Sequence, residues 1–359
     1  MTSVPVVLSA RGAARATTSP SPGRPAPEMP LTGPLVDTFG RIHDDLRISV
    51  TDRCNLRCTY CMPEQGMSFL PGSSLLSFDE IVRVAGVARS LGVEAVRLTG
   101  GEPLVRRGLD QLVRRLAGVG FADLSLTTNG MLLSPVLPAL VAGGLTRVNI
   151  SCDSLRPERF AAIRRRGDLA TVLGAMDAAE AAGLPSVKVN VVLEYGSNDD
   201  EILEFADFAR STGRIVRFIE FMPLDGQGTW RRDRLVPGSE VVRRIDSRWP
   251  LVAVERGDDR APAERYRFRD GRGEIGVISS VTQPFCGTCN RLRLTADGAI
   301  RNCLFSDDEL DVRGAIRSGA PDEVIALQLR RAVWGKRPGH GIDEPGFLRP
   351  TRSMSMIGG

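Results

Sequence analysis

From residue 46 onward the chain alternates short runs rich in β-branched and apolar residues with longer runs of helical periodicity. Candidate strands fall at 46–51, 95–100, 123–128, 147–153, 186–194 and 215–222, with helical patterns near 79–91, 108–118, 134–143, 168–182 and 199–211 between them. Six βα-like units in a row predict an α/β fold, with a parallel sheet covered by helices. Their similar lengths suit a partial (βα)6 barrel, where chemistry gathers at the C-terminal ends of the strands. A doubly wound sheet is the competing arrangement, and the strand pattern alone does not separate the two. After residue 222 the regularity breaks into a loop at 223–237, short β patterns at 263–269 and 274–281, helical stretches near 308–317 and 321–333, and a Gly/Pro-rich tail. Three regions are expected: a disordered extension over 1–38, a barrel over 39–222, and a C-terminal region over 223–359.

Six of the seven cysteines form two triads at opposite ends of this pattern. Cys54, Cys58 and Cys61 make C-x3-C-x2-C directly after the first strand, and Cys286, Cys289 and Cys303 make C-x2-C-x13-C. Three is the informative count, because a closed structural zinc site takes four protein ligands. An iron–sulfur cluster on three cysteines leaves one iron for a substrate or cofactor. Metal-ligand spacing, the length of the chain and the lack of a signal-peptide pattern argue against a secreted disulfide scaffold. The seventh, Cys152, ends an apolar strand pattern and reads as a small core residue.

Composition sharpens two points. No run of about 18 apolar residues exists, so no membrane span is expected. The net charge of +4 is small, and all but two of the 47 basic residues are arginines, Lys188 and Lys336 being the exceptions. That bias fits a GC-rich genome better than a nucleic-acid surface, and bulk charge argues neither for nor against a partner; no nucleic-acid partner is expected. Residues 1–38 are Ala/Pro/Ser/Arg-rich and acid-poor. This also suits a mitochondrial transit peptide, but a bacterial extension of a cytoplasmic protein is the favoured reading.

Thr99-Gly100-Gly101-Glu102-Pro103 ends the second strand pattern. Its glycines allow close backbone approach to a ligand, and Glu102 could accept from an ammonium group. Together with the first triad, this segment resembles the radical SAM superfamily, in which a three-cysteine cluster is chelated by S-adenosylmethionine. Beside the second triad, Arg291 and Arg293 would share one face of an extended segment and offer forked donors to phosphate oxygens.

From about Arg41 to the terminal Gly358-Gly359 the chain resembles the GTP 3′,8-cyclase family of molybdenum cofactor biosynthesis. The likeness is carried by Leu46-Arg-Ile-Ser-Val-Thr-Asp-Arg-Cys-Asn, Thr127-Thr-Asn-Gly, Arg147-Val-Asn-Ile-Ser, Val187-Lys-Val-Asn, Arg217-Phe-Ile-Glu-Phe-Met, the second triad with its arginines, and the Gly-Gly tail. The resemblance implies a radical SAM lyase with two [4Fe-4S] clusters, one binding S-adenosylmethionine and one binding substrate. GTP would be converted to (8S)-3′,8-cyclo-7,8-dihydroguanosine 5′-triphosphate after hydrogen abstraction from C3′. An external electron donor and a downstream cyclic pyranopterin monophosphate synthase would be partners. Family members are often dimeric, and no interface is legible here.

Carried over by motif, GTP contacts would be Arg47, Arg97, Thr127, Lys188, Arg217, Arg291 and Arg293. Those for S-adenosylmethionine would be Tyr60, Gly101, Glu102, Ser151 and Met222. Arg47, Arg291, Arg293, Gly358 and Gly359 would serve catalysis, with the tail reaching back into the barrel. Ala95, two residues before Arg97, departs from relatives that carry Lys there. Two other readings stay open at this point: a radical SAM peptide maturase with an auxiliary cluster, and a non-enzymatic iron–sulfur protein.

Overall fold

The computed structural model describes residues 28–185, 187–225, 228–255 and 260–358. The six expected strands are β1 (Asp45–Ser49), β2 (Ala95–Thr99), β3 (Asp123–Thr128), β4 (Arg147–Ser151), β5 (Lys188–Leu193) and β6 (Ile215–Glu220). Helices α1 (Phe78–Ser90), α2 (Leu109–Val119), α3 (Leu133–Ala142), α4 (Pro157–Arg164), α5 (Leu169–Ala181) and α6 (Ile202–Thr212) lie between them. Their ends follow local rules. Ser77 and Glu80 close a capping box at the start of α1, and α2 stops at Gly120 in the left-handed region (φ 87°). Helix α4 went unread in the sequence because its eight residues, Pro157-Glu-Arg-Phe-Ala-Ala-Ile-Arg, carry almost no apolar periodicity.

Strands β1 to β6 pair in parallel and in chain order. On one face of every strand the alternate residues are apolar and buried under the helices: Leu46 and Ile48, Val96 and Leu98, Leu124 and Leu126, Val148 and Ile150, Val189 and Val191, Val216 and Phe218. The opposite face carries Arg47, Arg97, Ser125 and Thr127, Asn149 and Ser151, Asn190, and Arg217. Parallel strands buried on both faces ordinarily read as continuous apolar runs, and a packed barrel interior is filled by branched aliphatics. A polar inner row instead marks a hollow barrel with a working interior.

The C-terminal region adds α7 (Gly238–Arg248), β7 (Leu251–Ala253), β8 (Glu264–Phe268), β9 (Glu274–Ile278), β10 (Arg291–Leu294), β11 (Ala299–Arg301), β12 (Leu310–Asp311), α8 (Val312–Arg317), α9 (Asp322–Trp334) and α10 (Met354–Ile357). The C-terminal region expected over 223–359 continues the sheet of the barrel. Strand β9 pairs in parallel with β6, and β10 pairs in parallel with β1. One twelve-stranded sheet results, in the order β12-β11-β10-β1-β2-β3-β4-β5-β6-β9-β8-β7. Eight strands are thus parallel, and antiparallel strands cover both ends of the row, as suits exposed sheet edges.

The expected disordered extension is also shorter than 38 residues. Leu35 and Asp37 are buried, Val36 bridges Ile42, and Asp37 accepts from Arg41 and lies 3.0 Å from His43 Nε2. Residues 1–27 lie outside the described residues.

Candidate active site

One cavity of about 720 Å³ opens at the C-terminal ends of the strands. All six triad cysteines line it, together with Arg47, Tyr60, Arg97, Gly101, Glu102, Thr127, Ser151, Arg217, Met222, Arg291 and Arg293. Two expected residues do not. Lys188 stands at the start of β5, two residues before Asn190 on the same face, and Gly358, in the tail, accepts from Arg293. Gly359 lies outside the described residues.

The first triad occupies the loop after β1, where the amides of Cys61 and Met62 both donate to Cys58 O at 3.0 Å. The segment after β2 braces this loop. Gly101 N donates to Thr51 O and Glu102 N to Arg53 O, each at 2.8 Å. A Cβ on Gly101 would collide with the Arg53 carbonyl. The double glycine was expected to make room for a ligand; its first requirement is the close approach of two backbones. Glu102 likewise serves the fold, accepting from Thr128 Oγ1 and Asn129 N at 2.7 Å each and from Leu104 N at 3.1 Å. Burial outweighs these donors and raises its carboxyl to about 7.

Both triads fit iron–sulfur ligation. Their sulfurs face one cavity, and several accept N–H donors: Cys54 from Leu56 N (3.4 Å), Cys58 from Arg164 Nη1 (3.5 Å) and Cys303 from Phe305 N (3.5 Å). Among the described residues no group of His, Cys, Asp or Glu is gathered tightly enough to hold a single metal ion. A multi-iron cluster takes its cysteines on different irons and needs no such convergence.

The two triads differ electrostatically. Burial pushes the Cys54 thiol up to about 11 and raises Cys58 and Cys61 as well. Burial also opposes ionisation of Cys289, but Arg291 and Lys336 outweigh it and hold that thiol at about 5. Cys152 is fully buried, and its thiol is raised to about 12 by burial, as a core residue's would be.

Between the triads lies a row of cations. Register places Arg47 beside Arg97 on one side and beside Arg293 on the other, and Arg217 projects from β6. All four line the cavity, and among the described residues none has an ion pair with a carboxylate. Arg217 donates to the neutral oxygens of Asn190 (3.0 Å) and Asn149 (2.6 Å), and Arg97 to Ser125 Oγ (3.3 Å). The Nε of Arg47 has no partner. Burial, then neighbouring arginines, lowers Arg47 strongly, Arg217 to about 9 and Arg293 to about 10. Lys188 is lowered to about 8 by burial and by Arg217, Arg147 and Arg97. Buried charges with no direct ion pair are costly, and the carboxylate acting most strongly on Arg47, Arg97 and Arg293, Asp45, does so only through space.

Arg291 and Arg293 share a face of β10, as expected, but their donors point to different targets. Arg291 turns to Cys289 Sγ (3.3 and 3.2 Å) and lies over the Phe285 ring. Arg293 donates to the carbonyl of Gly358. The tail therefore does return to the barrel. Gly358 has φ 81°, and a Cβ there would sit 2.8 Å from Thr99 Cγ2 and 3.0 Å from Ser49 Cβ. Cysteine-loop and tail also meet where the Ser355 backbone donates to Cys61.

Sequence reasoning missed Arg164, Asp153, Asn190 and Lys336. Tyr60 Oη donates to Asp153 (2.8 Å), which pairs with Arg164 (2.8 Å) beneath the first triad. Arg164 sits on the unread helix α4, so no signal pointed to it. For Lys336 a signal existed, since it is the second of only two lysines.

Fold and site together place the chain among radical SAM proteins. The Radical SAM superfamily matches residues 48–209, and the Molybdenum Cofactor Synthesis C family matches residues 214–342. A GTP 3′,8-cyclase of Streptomyces coelicolor is 51% identical over 90% of this chain and 96% of its own length. The GTP 3′,8-cyclase of Mycolicibacterium smegmatis is 45% identical over 96% and 97%, respectively. The chain belongs to the GTP 3′,8-cyclase family. Among solved structures, Streptococcus suis SuiB bound to its precursor peptide SuiA superposes with a TM-score of 0.56 at 13% identity, covering 86% of this chain and 68% of SuiB. Native anSMEcpe with bound AdoMet gives 0.53 at 16% identity over 82% of each chain. These two likenesses concern the fold.

Proposed function

We propose that the chain cyclises GTP between C3′ and C8 by radical chemistry, and that its cavity holds S-adenosylmethionine at one end and GTP at the other. The observation that carries this reading is the row of Arg47, Arg97, Arg217 and Arg293, which line the cavity with both cysteine triads and, among the described residues, form no ion pair with a carboxylate; Arg47, Arg217 and Arg293 are buried and Arg97 is half-buried. A triphosphate supplies the missing counter-charge, and guanidinium forks suit its oxygens. A peptide substrate would leave these charges uncompensated, which weighs against the maturase reading.

A cluster on Cys54, Cys58 and Cys61, when bound, supplies the electron that cleaves S-adenosylmethionine to methionine and a 5′-deoxyadenosyl radical. The chain's own part is placement. Tyr60, Gly101, Glu102, Ser151 and Met222 bind the S-adenosylmethionine, with the loop after β1 braced by Gly101 and Glu102. Arg47, Arg97, Thr127 and Arg217 hold the phosphates and ribose so that C3′ faces the 5′-carbon. Lys188 adds charge from below. Cys286, Cys289 and Cys303 would hold a second cluster, which would supply a coordination position for the purine. Arg293 and the tail through Gly358 close the site over the reacting nucleotide and exclude water. Hydrogen abstraction by a radical needs no general base. An external reductant and a downstream cyclic pyranopterin monophosphate synthase complete the scheme.

Anaerobic turnover of the reconstituted protein with S-adenosylmethionine, GTP and a strong reductant tests the proposal. Formation of 5′-deoxyadenosine together with a cyclised GTP product, identified by mass analysis, supports it. 5′-Deoxyadenosine with GTP untouched would leave the radical SAM core standing and refute the substrate. Cys286→Ser is expected to keep uncoupled cleavage of S-adenosylmethionine while losing the cyclised product.

A further inference from the structure

Lys336 follows α9 and is buried, with 6% of its surface exposed. Its Nζ lies 3.3 Å from Cys289 Sγ and 2.9 Å from Arg291 O. Arg291 brings Nε and Nη2 to within 3.3 and 3.2 Å of the same sulfur. Two cations thus deliver three N–H groups to one cysteine.

Among the described residues no sulfur of the first triad receives two cations, although Cys58 also has a hydrogen bond with Tyr60 and Cys61 one with the Ser355 backbone. Cys54 Sγ receives a backbone amide at 3.4 Å and the Asn129 amide at 3.8 Å, and Cys58 Sγ receives Arg164 at 3.5 Å. The position of Lys336 is built in from a distance. Arg41 donates to Cys286 O (2.7 Å), Arg337 O (2.7 Å) and Pro338 O (3.1 Å), and is itself held by Asp37 at 2.5 Å. The segment carrying Lys336 is therefore tied to the cysteine loop it serves. In a chain that writes nearly every cation as Arg, a lysine here provides a compact ammonium that can reach a sulfur and a carbonyl at once.

We propose that Lys336 is a positioning residue of the second triad, whose ammonium, with the Arg291 guanidinium, raises the reduction potential of the cluster held there. Donors and positive charge at a cluster sulfur stabilise the added electron of the reduced form. A cluster so stabilised surrenders electrons less readily, which suits a substrate-binding role and leaves electron donation to the first triad. This inference rests on the second-cluster reading above.

The test uses the full-length chain with Cys54→Ser, Cys58→Ser and Cys61→Ser, reconstituted anaerobically with iron and sulfide and followed by EPR during potentiometric titration. Adding Lys336→Met is expected to move the midpoint to more negative potential. The oxidised-to-reduced ratio at the parent midpoint should rise about tenfold, equivalent to about 59 mV for one electron. A cluster that forms and keeps the parent midpoint in Lys336→Met overturns the role of Lys336 and leaves the proposed function intact. Should Lys336→Met fail to retain iron, Lys336→Gln, neutral but still an N–H donor, carries the same measurement, and an unmoved midpoint overturns the inference. Absence of any iron in the parent triple variant would overturn the second-cluster reading itself, and this inference with it.

Discussion

Arg217 offers a direct test of a site that trades stability for binding. Its guanidinium is 8% exposed, bonded to two neutral asparagine oxygens, and held at about 9 against an ordinary 12.5. At about 1.36 kcal/mol per tenfold change in protonation, that difference corresponds to about 5 kcal/mol of unfavourable charge burial at pH 7. Arg217→Met keeps most of the volume and removes the charge. It also leaves Asn149 and Asn190 each short of a donor, at about 1 kcal/mol apiece where water can reach the cavity. The ligand-free protein is therefore expected to gain about 1–3 kcal/mol of stability, after allowance for screening in a water-filled cavity. GTP binding should weaken by about 2–5 kcal/mol, the usual loss for one side of a desolvated charge pair. Anaerobic urea unfolding reads the first effect and titration calorimetry with GTP the second. A variant that is less stable than wild type and binds GTP with unchanged affinity would refute the reasoning.

Other outcomes follow from the same geometry. Lys188, lowered to about 8, is neutral in the fold above that pH while the unfolded chain keeps its proton to about 10.5. Stability should thus rise with pH between about 8 and 10.5. GTP affinity should fall as pH rises through 8, because bound phosphate favours the charged lysine; Lys188→Met should abolish both trends in unfolding and calorimetric titrations. Gly358→Ala puts a Cβ against Thr99 and Ser49 at a φ of 81° and should undock the tail, costing product formation more than S-adenosylmethionine affinity in steady-state assays. Gly101→Ala forces the backbone after β2 away from Arg53, and iron analysis after reconstitution should show loss from the first triad with the second retained.

The six strands and most of their helices were legible because each is a local pattern: branched apolar runs of five or six residues, ended by glycine and capping residues. Both cysteine triads and the Gly-Gly-Glu-Pro segment were legible for the same reason, since closely spaced ligands must be near in space. Helix α4 was not, having almost no apolar face, and Arg164 was lost with it. Nor was the junction of the C-terminal strands with the barrel, because pairing of β10 with β1 joins residues some 246 positions apart and leaves no mark in either segment. That pairing sets Arg293 beside Arg47 and the second triad opposite the first. The amino-acid order by itself determined most of the elements, the metal-ligand groups and the alternation along each strand, since nearly all of these depend on spacings of two to four residues, Cys303 at 14 beyond Cys289 being the exception. Only the tertiary structure decided that the arginines of four strands share one cavity and, among the described residues, form no ion pair with a carboxylate, that Gly101 and Glu102 brace the cysteine loop, and that Lys336 reaches Cys289. Long-range strand register and desolvation set those relations, and neither is written in any local stretch of the chain.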